Sequence, residues 1–340
     1  MDNPLHQANR NNDPRRILII VDKYGWSYDA IARGIKDHVD DDVIIDIMSE
    51  KADAETIRRE HGRYDLVFAM GWTSVFEKKK KTSHAEKLDF IDKARLITGV
   101  HSHRSWDDYR STPDWSPDPS PELIEKLASL KAVNTVSRRL FRMFRKAGLD
   151  NLVLTENGVD TDLFRPTQPV NIDRTRPLVI GFSGSTGIQK HDDLKGLSAF
   201  ILPLGELPNV EIRVLGERGP KQVARAAMPA LYNSIDLYIC ASTSEGFSQS
   251  VLEASACGRS VLSTKVGGSE DLIEAGATGY FIERDLEQIQ RLVTTLEQNR
   301  VTVARLGARN RQHVLDRYAW RVRVKDWLDF MRASLPATVH

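Results

Sequence analysis

The sequence predicts an α/β chain built from two similar domains, each with a parallel sheet. Three observations carry this expectation. The chain has 340 residues, about two domains at roughly 150 residues each. Short β-branched runs recur along its whole length and close on Gly, Ser or Asp. The segments between them are long enough for helices, which is the rhythm of βαβ units.

Residues 1–14 are polar and are expected to form a disordered tail. RILIIVD (16–22) reads as a buried strand, because an unbroken apolar run suits a strand covered on both faces. A helical stretch over 26–39 follows, then VIIDI (43–47), a helix near 52–61, and DLVFAM (65–70). RLITGV (95–100), AVNTV (132–136) and LVLTEN (152–157) complete a first domain placed at 15–165. Residues 166–176 hold Pro166 and Pro169 in a polar setting and read as a linker. The second domain, 177–316, offers PLVIGFSG (177–184), VEIRVLG (210–216), DLYICAS (236–242), SVLST (260–264) and GYFI (279–282). Two helical stretches, 301–317 and 319–335, close the chain.

Composition narrows the function. The 48 Lys+Arg residues nearly balance 47 Asp+Glu, whereas dedicated nucleic-acid binders carry a basic excess, so no nucleic-acid partner is expected. No apolar run approaches the ~20 residues that span a bilayer. The N-terminus lacks the apolar core of a secretory signal. A cytoplasmic protein is expected. Cys240 and Cys257 are the only cysteines, too few for a disulfide framework or a zinc cluster.

The chemistry concentrates in ASTSEGFSQSVLEASACGRSVLSTKVGGSEDLIEAGATGY, residues 241–280. A buried strand ends at Cys240, a turn carries Gly246, and a helix begins near Ser248, which is placed to cap it. A helix N-terminus at a strand's carboxyl end is an anion site suited to a diphosphate. Glu245 and Glu253 lie eight positions apart, about 12 Å along a helix. Glycosidase carboxylates stand roughly 5–9.5 Å apart, so these two fit separate tasks on one extended ligand better than one acid–base pair. Taken alone they are a weak signal, since a solvated loop Glu and a surface helix Glu would read the same way.

The context strengthens the signal. Ser244-Glu245-Gly246-Phe247, then Leu252-Glu253-Ala254-Ser255-Ala256-Cys257-Gly258, resembles the Glu-x7-Glu hallmark of glycosyltransferase family 4. So do Thr264, Gly267-Gly268, Glu270 and Gly276–Gly279 after it, and ENGVDTDLFRP (156–166) before it. The likeness is strong from about Asn134 onward and weak before that. It implies a GT-B architecture, two Rossmann-like domains facing each other across a cleft, with residues 317–340 as a helix that crosses back to the first domain. It also implies a retaining, metal-independent transfer of a sugar from a nucleotide-diphosphate donor to a hydroxyl acceptor: a glycan, a lipid-linked saccharide or a small glycoside. No cofactor and no metal are expected.

The resemblance assigns roles. Glu245 contacts the donor sugar and Glu253 the ribose, while the amides of Phe247, Ser248 and Gln249 hold sugar and diphosphate. His101, after the strand 95–100, lines the sugar pocket; His103 is a second candidate on the acceptor side. The turn Asp22-Lys23-Tyr24-Gly25-Trp26, after the first strand, faces the cleft, with Tyr24, Gly25 and Trp26 on the acceptor side and Trp72, Trp106 and Trp115 as further stacking candidates. Gly216 marks the turn near the base. The family's Gly-Arg pair is Gly184-Ser185 here, so that cation is absent; Lys195-Gly196 fits the family's Lys-Gly element, and Lys190 is the candidate substitute for the lost Arg. The departure at Ser185 keeps a second reading open: a non-catalytic nucleotide-sugar binder, or a subunit of a larger transferase. The run Lys78–Lys81 raises a weak membrane-surface association at the inner face, against the plainer reading of a solvated helix end. RRLFRMFRKAG (138–148) is expected to pack as a helix with its basic face in water. The oligomeric state stays open.

Overall fold

The computed structural model describes residues 13–78, 84–102, 118–184, 192, 194–215 and 223–336. The first half runs β1 (Arg15–Val21), α1 (Ser27–Lys36), β2 (Val43–Ser49), α2 (Ala54–Glu60), β3 (Leu66–Ala69), α3 (Trp72–Val75), a small hairpin β4 (Phe76–Lys78) and β5 (His84–Glu86), β6 (Leu96–Val100), α4 (Pro121–Ala128), β7 (Ala132–Thr135), α5 (Arg138–Lys146) and β8 (Leu152–Leu154). Apart from the antiparallel hairpin, these strands form one parallel sheet in the order β2-β1-β3-β6-β7-β8.

The second half runs β9 (Leu178–Ser183), β10 (Val210–Leu215), α6 (Met228–Asn233), β11 (Leu237–Cys240), α7 (Gln249–Ala256), β12 (Ser260–Ser263), α8 (Ser269–Leu272), β13 (Gly279–Phe281), α9 (Leu286–Gln298), α10 (Arg300–Arg317) and α11 (Trp320–Ser334). Its sheet is also parallel, ordered β10-β9-β11-β12-β13. Parallel sheets are covered on both faces, which is why their strands read as continuous apolar runs. Ile17 to Val21 and Leu66 to Ala69 are all fully buried.

Each sheet reverses its strand order once, between β1 and β3 and between β9 and β11. Ligands bind in crevices outside the carboxyl ends of strands at such points. The turns after β1, β9 and β11 are therefore where chemistry is expected, and all three line one cleft, joined by Thr73 of α3 beyond β3.

The segment between the sheets is firmly tied down. Asn233 Oδ1 accepts from Thr167 N at 2.8 Å, and Asp236 Oδ1 from Asn171 N at 2.9 Å. The last helix, α11, lies on the first sheet's side. Trp327 Nε1 donates to the Glu156 carbonyl at 2.9 Å, and Phe330 meets Phe68 edge-on. Arg332 pairs with Asp40 and Asp42.

Two expectations are corrected. Lys78 ends a short antiparallel strand rather than a helix; Lys79–Lys81 lie outside the described residues, as do residues 1–12 of the tail. The basic face of α5 is not wholly given to water. Arg138 N donates to Asp271 Oδ2 at 2.9 Å, and Arg139 Nη1 donates to the Lys265 carbonyl at 2.9 Å and to Glu270 Oε1 at 2.5 Å. The first turn of α5 thus clasps α8 of the second domain.

Candidate active site

β11 ends at Cys240 and the chain turns through 241–248 before α7. Inside that turn Glu245 is buried, at 8% exposure. Its carboxylate pairs with Lys195 Nζ and accepts from Ser242 Oγ at 2.8 Å. Lys195 reaches it from a bend completed by Gly196, whose φ of +70° is a backbone conformation that glycine adopts without penalty. A second loop props the turn from below. Thr264 Oγ1 donates to the Ser242 carbonyl at 2.6 Å, and Gly268 N to the Gly246 carbonyl at 2.9 Å. A Cβ at Gly268 would run into the Phe247 ring. These packing demands give the threonine and the glycine pair at 264–268 a physical purpose.

Ser248 occupies the N-cap position of α7, yet its side chain does not cap the helix. Its hydroxyl instead lies 3.2 Å from that of Ser250. The helix therefore opens onto the cleft without a side-chain cap, which leaves its first N–H groups available to an anion. One turn further on, Glu253 is buried, at 5% exposure. Arg225 Nη1 donates to its Oε1 at 2.6 Å and Tyr232 Oη to its Oε2 at 2.9 Å. A carboxylate has about four lone-pair sites, so both oxygens keep capacity for a diol.

The first domain supplies the opposite wall. His101 follows β6, with its ring edge-on to Tyr28 at 4.9 Å and 6.0 Å from Trp327. Burial pushes its pKa down to about 3, so the imidazole is neutral. Asp22 and Asn157 join the same wall. Burial raises the Asp22 carboxyl, opposed by the Lys23 amide. The two walls enclose a cleft of about 580 Å³ that brings together Gly25, Trp26, His101, Gly184, Lys195, Glu245, Phe247, Ser248, Gln249 and Glu253. Beside it lies a smaller hollow of about 300 Å³ that shares Gly25, Trp26 and Arg225 and adds Asp29, Arg33, Asp160 and Trp320.

Residues 212–313 match the family model of glycosyl transferases, group 1. The match spans 102 of the 340 residues. Among curated proteins the chain is 24% identical over 267 residues to a D-inositol 3-phosphate glycosyltransferase of Paenarthrobacter aurescens, covering 69% of this chain and 64% of that one. It is 28% identical over 200 residues to a sulfoquinovosyl transferase of Arabidopsis thaliana, covering 51% and 38%. The chain thus spans less than two thirds of the length of either relative. Among solved structures it resembles Anabaena HepE in complex with UDP and glucose, with a TM-score of 0.66, 15% identity, and 93% and 99% of the two chains covered. It also resembles sucrose-phosphate synthase of Thermosynechococcus elongatus, with a TM-score of 0.72, 13% identity, and 94% and 99% covered. The architecture is GT-B, two parallel-sheet α/β domains.

The remaining sequence candidates fall elsewhere. Tyr24 turns away from the cleft, because its hydroxyl donates to Asp53 Oδ2 at 2.6 Å beyond the end of β2. Trp72 is a core residue at 2% exposure. His103, Ser185, Lys190, Gly216, Trp106 and Trp115 lie outside the described residues. Among the described residues no three His, Cys, Asp or Glu side chains gather as a metal site, and no helix is long and apolar enough to cross a membrane. Both cysteines are buried, and burial pushes the Cys257 thiol up to about 12. The sequence reading placed Asp22 in the turn that faces the cleft and missed Asn157, Arg225 and Tyr232. Asn157 sat at a motif edge in plain view; Arg225 and Tyr232 meet Glu253 across 28 and 21 positions of chain.

Proposed function

We propose that the chain is a retaining glycosyltransferase of family 4, acting on a nucleotide-diphosphate sugar and a hydroxyl acceptor without a metal ion. The observation that carries the reading is the uncapped start of α7 set between two buried carboxylates, Glu245 and Glu253, with Lys195 beside it. The nucleotide ribose bonds to Glu253, and the diphosphate lies on the first amides of α7 and against Lys195. The sugar then reaches Glu245 and His101 on the far side. Preorganised N–H donors and a cation stabilise the charge that builds on the leaving diphosphate.

In the transfer, the bond from the anomeric carbon to the diphosphate oxygen breaks and the acceptor oxygen bonds to the same face of that carbon. The acceptor's proton passes to the leaving phosphate oxygen. Glu245 stabilises the oxocarbenium-like centre between these events. The acceptor enters past Gly25 and Trp26, where the cleft meets the smaller hollow.

The test is a thermal-shift and hydrolysis screen of UDP-, GDP- and ADP-sugars, with and without EDTA. Ligand binding raises the melting temperature by mass action. One donor is expected to stabilise the native chain and to be hydrolysed slowly, with EDTA without effect and Glu253→Ala losing both responses. A proton NMR spectrum of the product then reads the anomeric configuration. No response to any nucleotide sugar would remove the reading. Binding without turnover toward any acceptor would favour a nucleotide-sugar binder.

A further inference from the structure

The first turn of α5 breaks a local rule. Anions are favoured at the N-terminus of a helix and cations at its C-terminus, yet α5 opens on Arg138 and Arg139 with no acidic residue in that turn. The reason lies in the second domain. Arg139 Nη1 donates to the Lys265 carbonyl at 2.9 Å and to Glu270 Oε1 at 2.5 Å, and Arg142 faces the other carboxylate oxygen of Glu270 at 3.7 Å.

Lys265 belongs to the loop that props the turn of Glu245. On one side of it, the Thr264 amide donates to the Cys240 carbonyl at 3.0 Å and the Thr264 hydroxyl to the Ser242 carbonyl at 2.6 Å. On the other, the Gly268 amide donates to the Gly246 carbonyl at 2.9 Å. Between them Gly267 has a φ of +47°, and a Cβ there would run into the carbonyl oxygens of Glu245 and Gly246. The loop 264–268 therefore meets the turn 242–246 through main chain. An ion pair as open as Arg139–Glu270, with side chains 41% and 24% exposed, adds little to global stability. A guanidinium set on a main-chain carbonyl fixes position instead, because that carbonyl moves only with its loop.

We infer that Arg139 is a positioning residue: it ties the loop 264–268 of the second domain to the first domain and thereby holds the turn that carries Glu245. That turn then has two anchors on the first domain, this one and the His101 carbonyl against Gly246. The effect on turnover rests on the glycosyltransferase reading, but the grip itself is a property of the ligand-free chain.

The experiment is hydrogen–deuterium exchange with mass spectrometry on the full ligand-free chain. In Arg139→Ala, local opening should let the amides of 264–271 exchange about tenfold faster than in the native chain. Those of 241–248 should follow by a smaller factor, with β1 and β10 unchanged. Glu270→Gln should speed the same amides less, and adding it to Arg139→Ala should change little, since both act through one contact. Once the donor is known, Arg139→Ala should lower kcat roughly tenfold, the scale of a misplaced catalytic group. Its affinity for the donor's nucleoside diphosphate should stay as it is, because Arg225 and Tyr232 hold Glu253 independently of this loop. Unchanged exchange over 241–248, equal acceleration throughout the chain, full additivity of the two substitutions, or a loss of nucleoside-diphosphate affinity matching the loss of kcat would overturn the inference. A failure of the glycosyltransferase reading would appear as absent donor binding and would leave the exchange pattern as it is.

Discussion

Gly246, in the turn that carries Glu245, lies directly against the backbone carbonyl of His101 in the other domain; a Cβ at this position would overlap that carbonyl. The two halves of the cleft therefore touch through main chain at the point where sugar chemistry is proposed. Gly246 is there because nothing larger allows the approach, and its own φ is unexceptional. Neither backbone can give way as a side chain can, so the least costly relief of a methyl group is for the domains to part.

Gly246→Ala is expected to lower kcat/KM at least tenfold while the melting temperature moves only a few degrees. Overpacking inside one rigid core costs about 1–3 kcal/mol and would show as thermal destabilisation instead. A variant that melts early but retains kcat/KM would place the strain inside the second domain.

At the nucleotide end, Arg225 and Tyr232 hold the Glu253 carboxylate from two sides. A charge-assisted bond of this kind is worth about 1.5–3 kcal/mol. Arg225→Gln should therefore raise the Kd for the donor roughly tenfold. Tyr232→Phe should raise it less, because that bond has a neutral donor. In combination with Glu253→Gln the arginine substitution should add little, since both act through one carboxylate. Isothermal titration of native and double-variant chains reads the coupling; full additivity would separate Arg225 from Glu253.

Lys195 and Glu245 are proposed to act on different ligand groups although they pair in the ligand-free chain. Lys195→Met should cost donor affinity ten- to a hundredfold and flatten its dependence on salt, because a cation facing a diphosphate is lost. Glu245→Gln should cost turnover more than affinity. Equal losses of kcat and affinity in both variants would mean that the ion pair acts as one unit.

Much of this arrangement was legible in the sequence, and the unread part has a physical pattern. Strands buried on both faces announce themselves as apolar runs, so β1, β3, β6, β9 and β11 were placed to within about two residues. Glu245, Glu253 and the glycine pair at 267–268 stood in one local motif. What stayed hidden depends on contacts across the chain. Tyr24 looked like a cleft residue until Asp53 claimed its hydroxyl. The basic run of α5 looked solvated because Glu270 and Asp271 lie more than 125 positions away. The hairpin β4–β5 was missed because strands of three residues carry almost no periodic signal.

The α5–α8 clasp makes a pH prediction. Asp271 is nearly buried, and its pKa is raised to about 6. Burial is the leading cause, and the carboxylates of Glu156 and Glu270 add to it. The Arg138 amide and guanidinium oppose the rise, the guanidinium from 3.7 Å. The folded chain therefore holds this proton more tightly than the unfolded chain, whose aspartate titrates near 3.8. The ionised form is penalised in the fold, so the group's contribution is most favourable below about pH 4. It falls as pH rises toward 6 and is level above that. Two pKa units correspond to about 3 kcal/mol, an upper bound for a single site. Asp271→Asn keeps an oxygen for the Arg138 amide and removes the charge. It should melt several degrees above the native chain at pH 8, and the gap should close by pH 4. Differences between the two chains cancel every other titrating group they share. A gap that is constant across this range would mean that Asp271 ionises in the clasp as it does in water.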